Sequence, residues 1–231
     1  MNIAIIPARS GSKRIKSKNI KNFIDKPVIS YAIDNLQKSK LFKHIFVSTD
    51  SKKIAKISRD CGAEVPFLRP KSLADDFTPI TKVIKNYIEQ LILINYNFDN
   101  VCCCFPCTPL LNPQEFQRAF KIFKLIKCSY LFPALKYPHP IQRAFSLTKK
   151  NKIKLNNPLN EKNRTQDLQD YYYDSGQFYF GKKKSWLMEK NIHSKGFFYP
   201  INKFQAIDID SLEDWKYAEL MYKINVKKNH K

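Results

Sequence analysis

Two segments of this 231-residue chain have residue types suited to chemistry on a phosphorylated ligand. The first is Pro7-Ala-Arg-Ser-Gly-Ser-Lys-Arg14, continued by Ile15-Lys16-Ser17-Lys18-Asn19. Small residues with clustered Arg and Lys, leaving an apolar run, offer backbone N–H groups and cations to a polyphosphate. The second is Asp208-Ile-Asp210, where residues two apart on a strand share a face and bring both carboxylates to one side.

Each segment also has a plainer reading. The loop lacks the opening glycine of a Walker A motif, carries Arg14 at that motif's Ser/Thr position, and is not a GxGxxG turn. Residue types alone fit an exposed basic connection as well as a phosphate cradle. The two acids could equally cap the following helix, where Ser211, Glu213 and Asp214 favour an N-terminus.

The elements that must position these segments alternate along the chain. Asn2–Pro7, His44–Thr49 and Asn100–Phe105 are short apolar runs typical of buried strands, with a further strand expected at Ser129–Ala134. Glu64–Leu68 reads as an edge strand, because Pro66 has no N–H for a central ladder. Helical patterns are expected at Pro27–Lys38, Lys52–Asp60, from Thr78-Pro79 to about Asn95, and from Pro113 to about Ile126. Such β-α alternation predicts a parallel, doubly wound sheet with ligands beyond the carboxyl ends of its strands. Residues 137–180 break the pattern and read as an inserted β-hairpin arm followed by an aromatic strand at Tyr171–Phe180. Gln205–Asp210 reads as a last strand end and Leu212–Ile224 as a last helix, all within a single domain spanning 1–231.

The net charge is +21, from 41 Lys and Arg against 20 Asp and Glu. That excess invites a nucleic-acid partner, but it is spread along the chain and dominated by Lys, as a solvated surface would be. The expectation is no nucleic-acid and no membrane partner. The longest apolar stretches, such as Leu91–Ile94, are too short to span a bilayer, and the N-terminus reads as a strand rather than a signal peptide. A cytoplasmic location is expected. Cys104 and Cys107 form a CxxC, yet strand alternation separates Cys103 from Cys102 and Cys104, and no second ligand pair completes a zinc site. The cysteines are read as core and near-site residues in a reducing compartment.

IIPARSGSKRIKSKNI resembles the opening motif of the CMP-sialic acid synthetases, cytidylyltransferases that activate nine-carbon sugar acids. The likeness continues through FLRPKSLADD (67–76), FPCTPLL (105–111), NRTQDL (163–168), YDSGQFYF (173–180) and DIDSLEDW (208–215). PHPIQRA (138–144), with TQDL and DSGQFY, is most similar to the branch acting on pseudaminic acid. CMP-KDO synthetases resemble the chain less, because their loop differs at Lys18-Asn19. The chain departs from the family pattern at three places: Ser10 replaces a second glycine, the pair Cys107-Thr108 replaces Thr-Ala or Thr-Ser, and Leu111 replaces an Arg of the sialic acid enzymes. The last argues against sialic acid itself as substrate.

The resemblance implies an α/β, mostly parallel Rossmann-like fold of the nucleotide-diphosphosugar transferase type, and a homodimer whose arm reaches the partner's site. It implies transfer of CMP from CTP to the anomeric hydroxyl of a nonulosonic acid, most closely pseudaminic acid. Legionaminic acid, N-acetylneuraminic acid or another nine-carbon sugar acid is the alternative, and a basic nucleic-acid-binding protein the lesser one. Arg9, Lys13 and Lys18 would bind the triphosphate, with Ala8, Ser10, Gly11 and Ser12 lining it and Asn19, Arg69 and Asp76 on the nucleotide. Asp208 and Asp210 would hold Mg²⁺, which favours one or two carboxylates plus phosphate and water. Lys18, Arg9, Asp208 and Asp210 are the expected catalytic set. Arg164 would meet the sugar carboxylate, with Gln142, Arg143, Gln166, Tyr173 and Gln177 as further sugar contacts.

Overall fold

Short apolar runs become strands and the amphipathic stretches between them helices in a computed structural model, which describes residues 1–156, 158–160 and 162–229. The strands are β1 (Asn2–Pro7), β2 (Asn22–Phe23), β3 (Lys26–Pro27), β4 (His44–Ser48), β5 (Asn100–Cys104), β6 (Tyr130–Lys136), β7 (Phe145–Leu147), β8 (Ile153–Leu155), β9 (Tyr172–Asp174), β10 (Phe178–Lys182) and β11 (Gly196–Pro200). The helices are α1 (Val28–Ser39), α2 (Lys52–Asp60), α3 (Ile80–Leu93), α4 (Pro113–Ile126), α5 (Lys183–Leu187), α6 (Ile192–Lys195) and α7 (Leu212–Asn229). Helix starts follow local signals. Ser51 and Asn112 accept the free N–H groups of Ile54 and Glu115, and proline precedes α1 and α3.

The main sheet runs β11-β6-β10-β5-β1-β4, with β9 pairing the far end of β6. β1 is parallel to β4 and β5, and β11 to β6, while β10 inserts antiparallel between β5 and β6. Both faces are covered. Ile33, Leu36, Ile54, Phe116 and Phe123 from α1, α2 and α4 pack on Ala4, Ile6, Cys102 and Cys104. Ile84, Ile88 and Trp186 from α3 and α5 pack on Ile3, Ile5 and Cys103 of the other face. The doubly wound, mostly parallel reading holds, and so does the split of the cysteine trio.

A third, smaller cluster positions the site. Phe23, Tyr31, Trp215 and Ala218 enclose Ile15 from the basic loop and Ile209 from between the two acids. Burying these two isoleucines together, at about 1.5–3 kcal/mol each, pins the loop against the Asp208–Asp210 segment.

Three expected strands differ from what forms. Gln205–Asp210 joins no ladder; burial of Ile209 between two more exposed aspartates mimics strand alternation without strand pairing. Glu64–Leu68 is reduced to a single bridge from Glu64 to Phe46. Tyr171–Phe180 splits into β9 and β10 at Ser175–Gln177, where Gly176 turns left-handed at φ 64°. The hairpin arm is present as β7 and β8, with Phe145, Leu147 and Ile153 exposed on it. Among the described residues no helix is long and apolar enough to cross a membrane.

Candidate active site

A cleft of about 470 Å³ opens beyond the carboxyl ends of β1 and β5. Arg9, Ser12, Lys13, Lys18, Asn19, Arg69, Asp76, Asp208 and Asp210 line it, as do Arg14, Thr78, Phe105, Gly176 and Tyr179. Ala8, Ser10 and Gly11 do not. Ala8 is buried, its N–H donating to the Ser48 carbonyl at 2.9 Å. Ser10 turns outward and donates from both its N–H (2.8 Å) and its hydroxyl (2.5 Å) to Asp50. Burial opposes the Asp50 carboxylate, but those donors and the Arg69 charge outweigh it and hold the carboxyl below its usual range. Ser10 is absent from the residues with positive φ, which is why a side chain is tolerated there.

The loop's cations are paired in two sets. Arg9 and Lys13 each lie 2.5 Å from Asp76, one on either carboxylate oxygen. Lys13 and Arg9 together hold that carboxyl below its ordinary range. Arg14 lies 2.8 Å from Asp210 Oδ2, and Lys18 Nζ lies 3.3 Å from Oδ1 while donating to the Ile209 carbonyl at 2.7 Å. Ser17, left-handed at φ 54°, turns the chain into the short helical turn that aims Lys18 inward. Asp76, expected on the nucleotide, lines the cleft and is paired there with the two loop cations Arg9 and Lys13. Arg14 was missed, although it stands within the basic run and its charge signalled it.

Asp208 makes no hydrogen bond or ion pair among the described residues. Burial first, then the neighbouring Asp210 charge, raises its carboxyl above the ordinary value. The Asp208 carboxyl group would be 3.5 Å from a Cβ placed on Gly176, an ordinary contact, so the left-handed φ of 64° rather than close approach is what favours glycine there. No group of three His, Cys, Asp or Glu able to hold a metal occurs among the described residues. Asp208, without an ion pair, beside Asp210, which is held by Arg14 and Lys18, gives two neighbouring carboxylates that fit an ion such as Mg²⁺ taking its other ligands from phosphate and water.

Arg69 is buried and fixed, its Nε donating to Ser48 Oγ at 3.0 Å and Nη2 to the Ser48 carbonyl at 2.6 Å. Burial lowers its pKa to about 10, only partly offset by Asp50. Asn19 is also buried, donating to the Arg9 carbonyl at 2.9 Å and accepting the Cys107 thiol at 3.6 Å. It therefore ties the loop to the β5 end. Burial pushes the Cys104 and Cys107 thiols up to about 12, so neither is a thiolate nucleophile near neutral pH.

The expected sugar residues are not brought to the cleft of their own chain. Arg164 is exposed and paired with Asp167 at 2.8 Å; Arg143 contacts Thr165, and the Gln142 side chain donates to the Gln169 carbonyl at 2.7 Å. Gln166 lies with them on the exposed arm, and Tyr173 packs against Tyr137, the rings tilted at 53° with centres 4.9 Å apart. Gln177 is 1% exposed and faces the protein interior, which corrects its assignment as a sugar contact.

A fold of this type with a basic loop facing two aspartates across one cleft is matched from residue 3 to residue 229 by the cytidylyltransferase family model. The chain belongs to the cytidylyltransferase family. It is 41% identical over 227 residues to a pseudaminic acid cytidylyltransferase of Campylobacter jejuni, with 97% of each chain covered. It is 29% identical to a CMP-N,N'-diacetyllegionaminic acid synthase of Legionella pneumophila, over 96% of this chain and 97% of that one. In fold it is similar to a CMP:2-keto-3-deoxy-manno-octonic acid synthetase solved with CTP, at a TM-score of 0.69, 12% identity, and coverage of 97% and 99%. This cytidylyltransferase is a nucleotidyltransferase, and its cleft lies where open α/β sheets bind ligands, at the carboxyl ends of parallel strands.

Proposed function

We propose that this cytidylyltransferase transfers CMP from CTP to the anomeric hydroxyl of a nonulosonic acid, with pseudaminic acid the favoured substrate, releasing pyrophosphate. The observation that carries the reading is the convergence of Arg9, Lys13, Arg14 and Lys18 with Asp208 and Asp210 in one cleft. The relative at 41% identity supports pseudaminic acid over other nine-carbon acids.

Attack of a hydroxyl on an α-phosphate requires charge neutralisation and in-line placement more than a covalent protein group. Arg9 and Lys13 would exchange Asp76 for the β- and γ-phosphates and stabilise the departing pyrophosphate. Lys18 and Arg14 would exchange Asp210 for the α-phosphate. Arg69, rigid in its Ser48 contacts, and Asn19 would set the nucleotide's position. Asp208 and Asp210 would hold Mg²⁺, which when bound neutralises phosphate charge and acidifies the attacking hydroxyl. The arm, bearing Arg164, Arg143, Gln142, Gln166 and Tyr173 away from its own cleft, would complete the sugar site of a second copy in a homodimer. CTP, rather than nucleic acid or a membrane, is the anionic partner of the basic loop, and its supply makes the cytoplasm the place of action.

Pyrophosphate release from CTP and Mg²⁺ with pseudaminic, legionaminic and N-acetylneuraminic acids tests the reading. Release fastest with pseudaminic acid is expected; release with none of the three would exclude it.

A further inference from the structure

Gln177 is a polar side chain where an apolar one would pack at less cost. It is 1% exposed, and its Oε1 is buried without a hydrogen-bond partner, a loss of about 1–3 kcal/mol. Its Nε2 donates to two carbonyls, Ser175 at 2.9 Å and Ile207 at 3.3 Å, and those acceptors fix which end of the amide is nitrogen. The Ile207 carbonyl belongs to the peptide that leads into Asp208. The Ser175 carbonyl belongs to the peptide that leads into Gly176, and the Asp208 carboxylate lies 3.5 Å from where a Cβ on Gly176 would stand. The Gln177 backbone carbonyl also accepts the Phe105 N–H at 2.9 Å, so one residue joins three segments of the cleft floor.

We propose that Gln177 is a positioning residue: its amide sets the two peptides that place the Asp208 carboxylate for the metal. The proposal rests on the reading of Asp208 and Asp210 as the Mg²⁺ seat. Groups that orient a metal ligand from behind typically change metal affinity or activity 10- to 100-fold when removed. A direct sugar contact would instead act on the sugar KM.

Gln177→Met keeps the length and removes both donors. Mn²⁺ serves as the probe, its binding to the enzyme–CTP complex followed by electron paramagnetic resonance without sugar acid. The variant is expected to weaken Mn²⁺ binding roughly tenfold or more and to lower kcat with Mg²⁺ by about 10- to 100-fold, the sugar KM staying within about twofold. A raised sugar KM with unchanged Mn²⁺ binding would overturn the proposal in favour of a sugar contact. Unchanged values throughout would reduce Gln177 to packing. If Gln177→Met loses cooperative melting, Gln177→Asn, which keeps the amide but shortens its reach, must show the weakened Mn²⁺ binding; wild-type binding there overturns the proposal. Failure of the wild-type CTP complex to bind Mn²⁺ would remove the metal seat itself, and the proposal with it, a result distinct from a variant that matches a metal-binding wild type.

Discussion

Lys18 and Asp210 are each other's counter-ion in the ligand-free chain, Nζ lying 3.3 Å from Oδ1, with Arg14 on the second carboxylate oxygen at 2.8 Å. In the proposed reaction Lys18 would bind phosphate and Asp210 the metal, and in the ligand-free chain each holds the other in place. Both are held by buried neighbours, Ile15 and Ile209, in one apolar cluster.

Asp210→Asn keeps the shape and removes the charge. Turnover should fall by roughly two to three orders of magnitude, the range seen for losing one charge-stabilising group. The Tm should change little, because the pairs involved are partly exposed and such pairs add little stability. Full activity at saturating Mg²⁺ would exclude Asp210 as a metal ligand.

Asp76 occupies Arg9 and Lys13 as a phosphate would. Asp76→Asn removes this competing anion, and CTP should bind roughly two- to fivefold tighter at low salt, the gain shrinking as salt screens the exposed pair. Titration calorimetry at two ionic strengths checks both parts. Weaker CTP binding would restore Asp76 to the nucleotide contacts that its place in the sequence suggests.

Burial and the Asp210 charge raise the Asp208 carboxyl above its unfolded value. The folded chain then holds this proton more tightly than the unfolded chain does. The associated stability is present below the ordinary carboxylate pKa and lost as pH rises through the raised one. Asp208→Asn should therefore raise the Tm of the ligand-free protein at pH 7, and the gain should vanish toward about pH 3.5. With Mg²⁺ and CTP added at pH 7 the wild type should gain more than the variant. Melting curves that show the variant less stable at pH 7 without ligand would contradict this account.

Much of this fold is legible locally, because Pro27 and Pro79 mark helix starts by their fixed backbone and Ser51 and Asn112 by side-chain oxygens that accept free N–H groups. Strand direction is not local: β10 lies antiparallel between β5 and β6 for reasons of chain crossover that no run of apolar residues records. Asp208-Ile-Asp210 alternates as a strand would, yet only pairing with a neighbour could make it one. The basic loop was readable by charge, whereas Gln177 was not, since a glutamine in a polar motif looks like a ligand contact until its burial is known. Arg164 and Arg143 were readable as guanidinium groups for a carboxylate, but not the distance that separates them from their own cleft.

That separation leads to the last prediction. Arg164 is exposed on an arm that carries Phe145, Leu147 and Ile153 unburied and does not line its own cleft. In a homodimer with exchanged arms, one copy would supply Arg164 and the other Asp210 to each site. Arg164→Ala alone should raise the sugar KM, leaving the CTP KM unchanged. Mixing Arg164→Ala chains with Asp210→Asn chains, followed by dissociation and reassociation, should give heterodimers with one intact site. Random pairing then returns up to roughly a quarter of wild-type activity at low sugar concentration. A mixture no more active than the mean of its parents, from chains shown to exchange, would place Arg164 in the service of its own cleft or of neither.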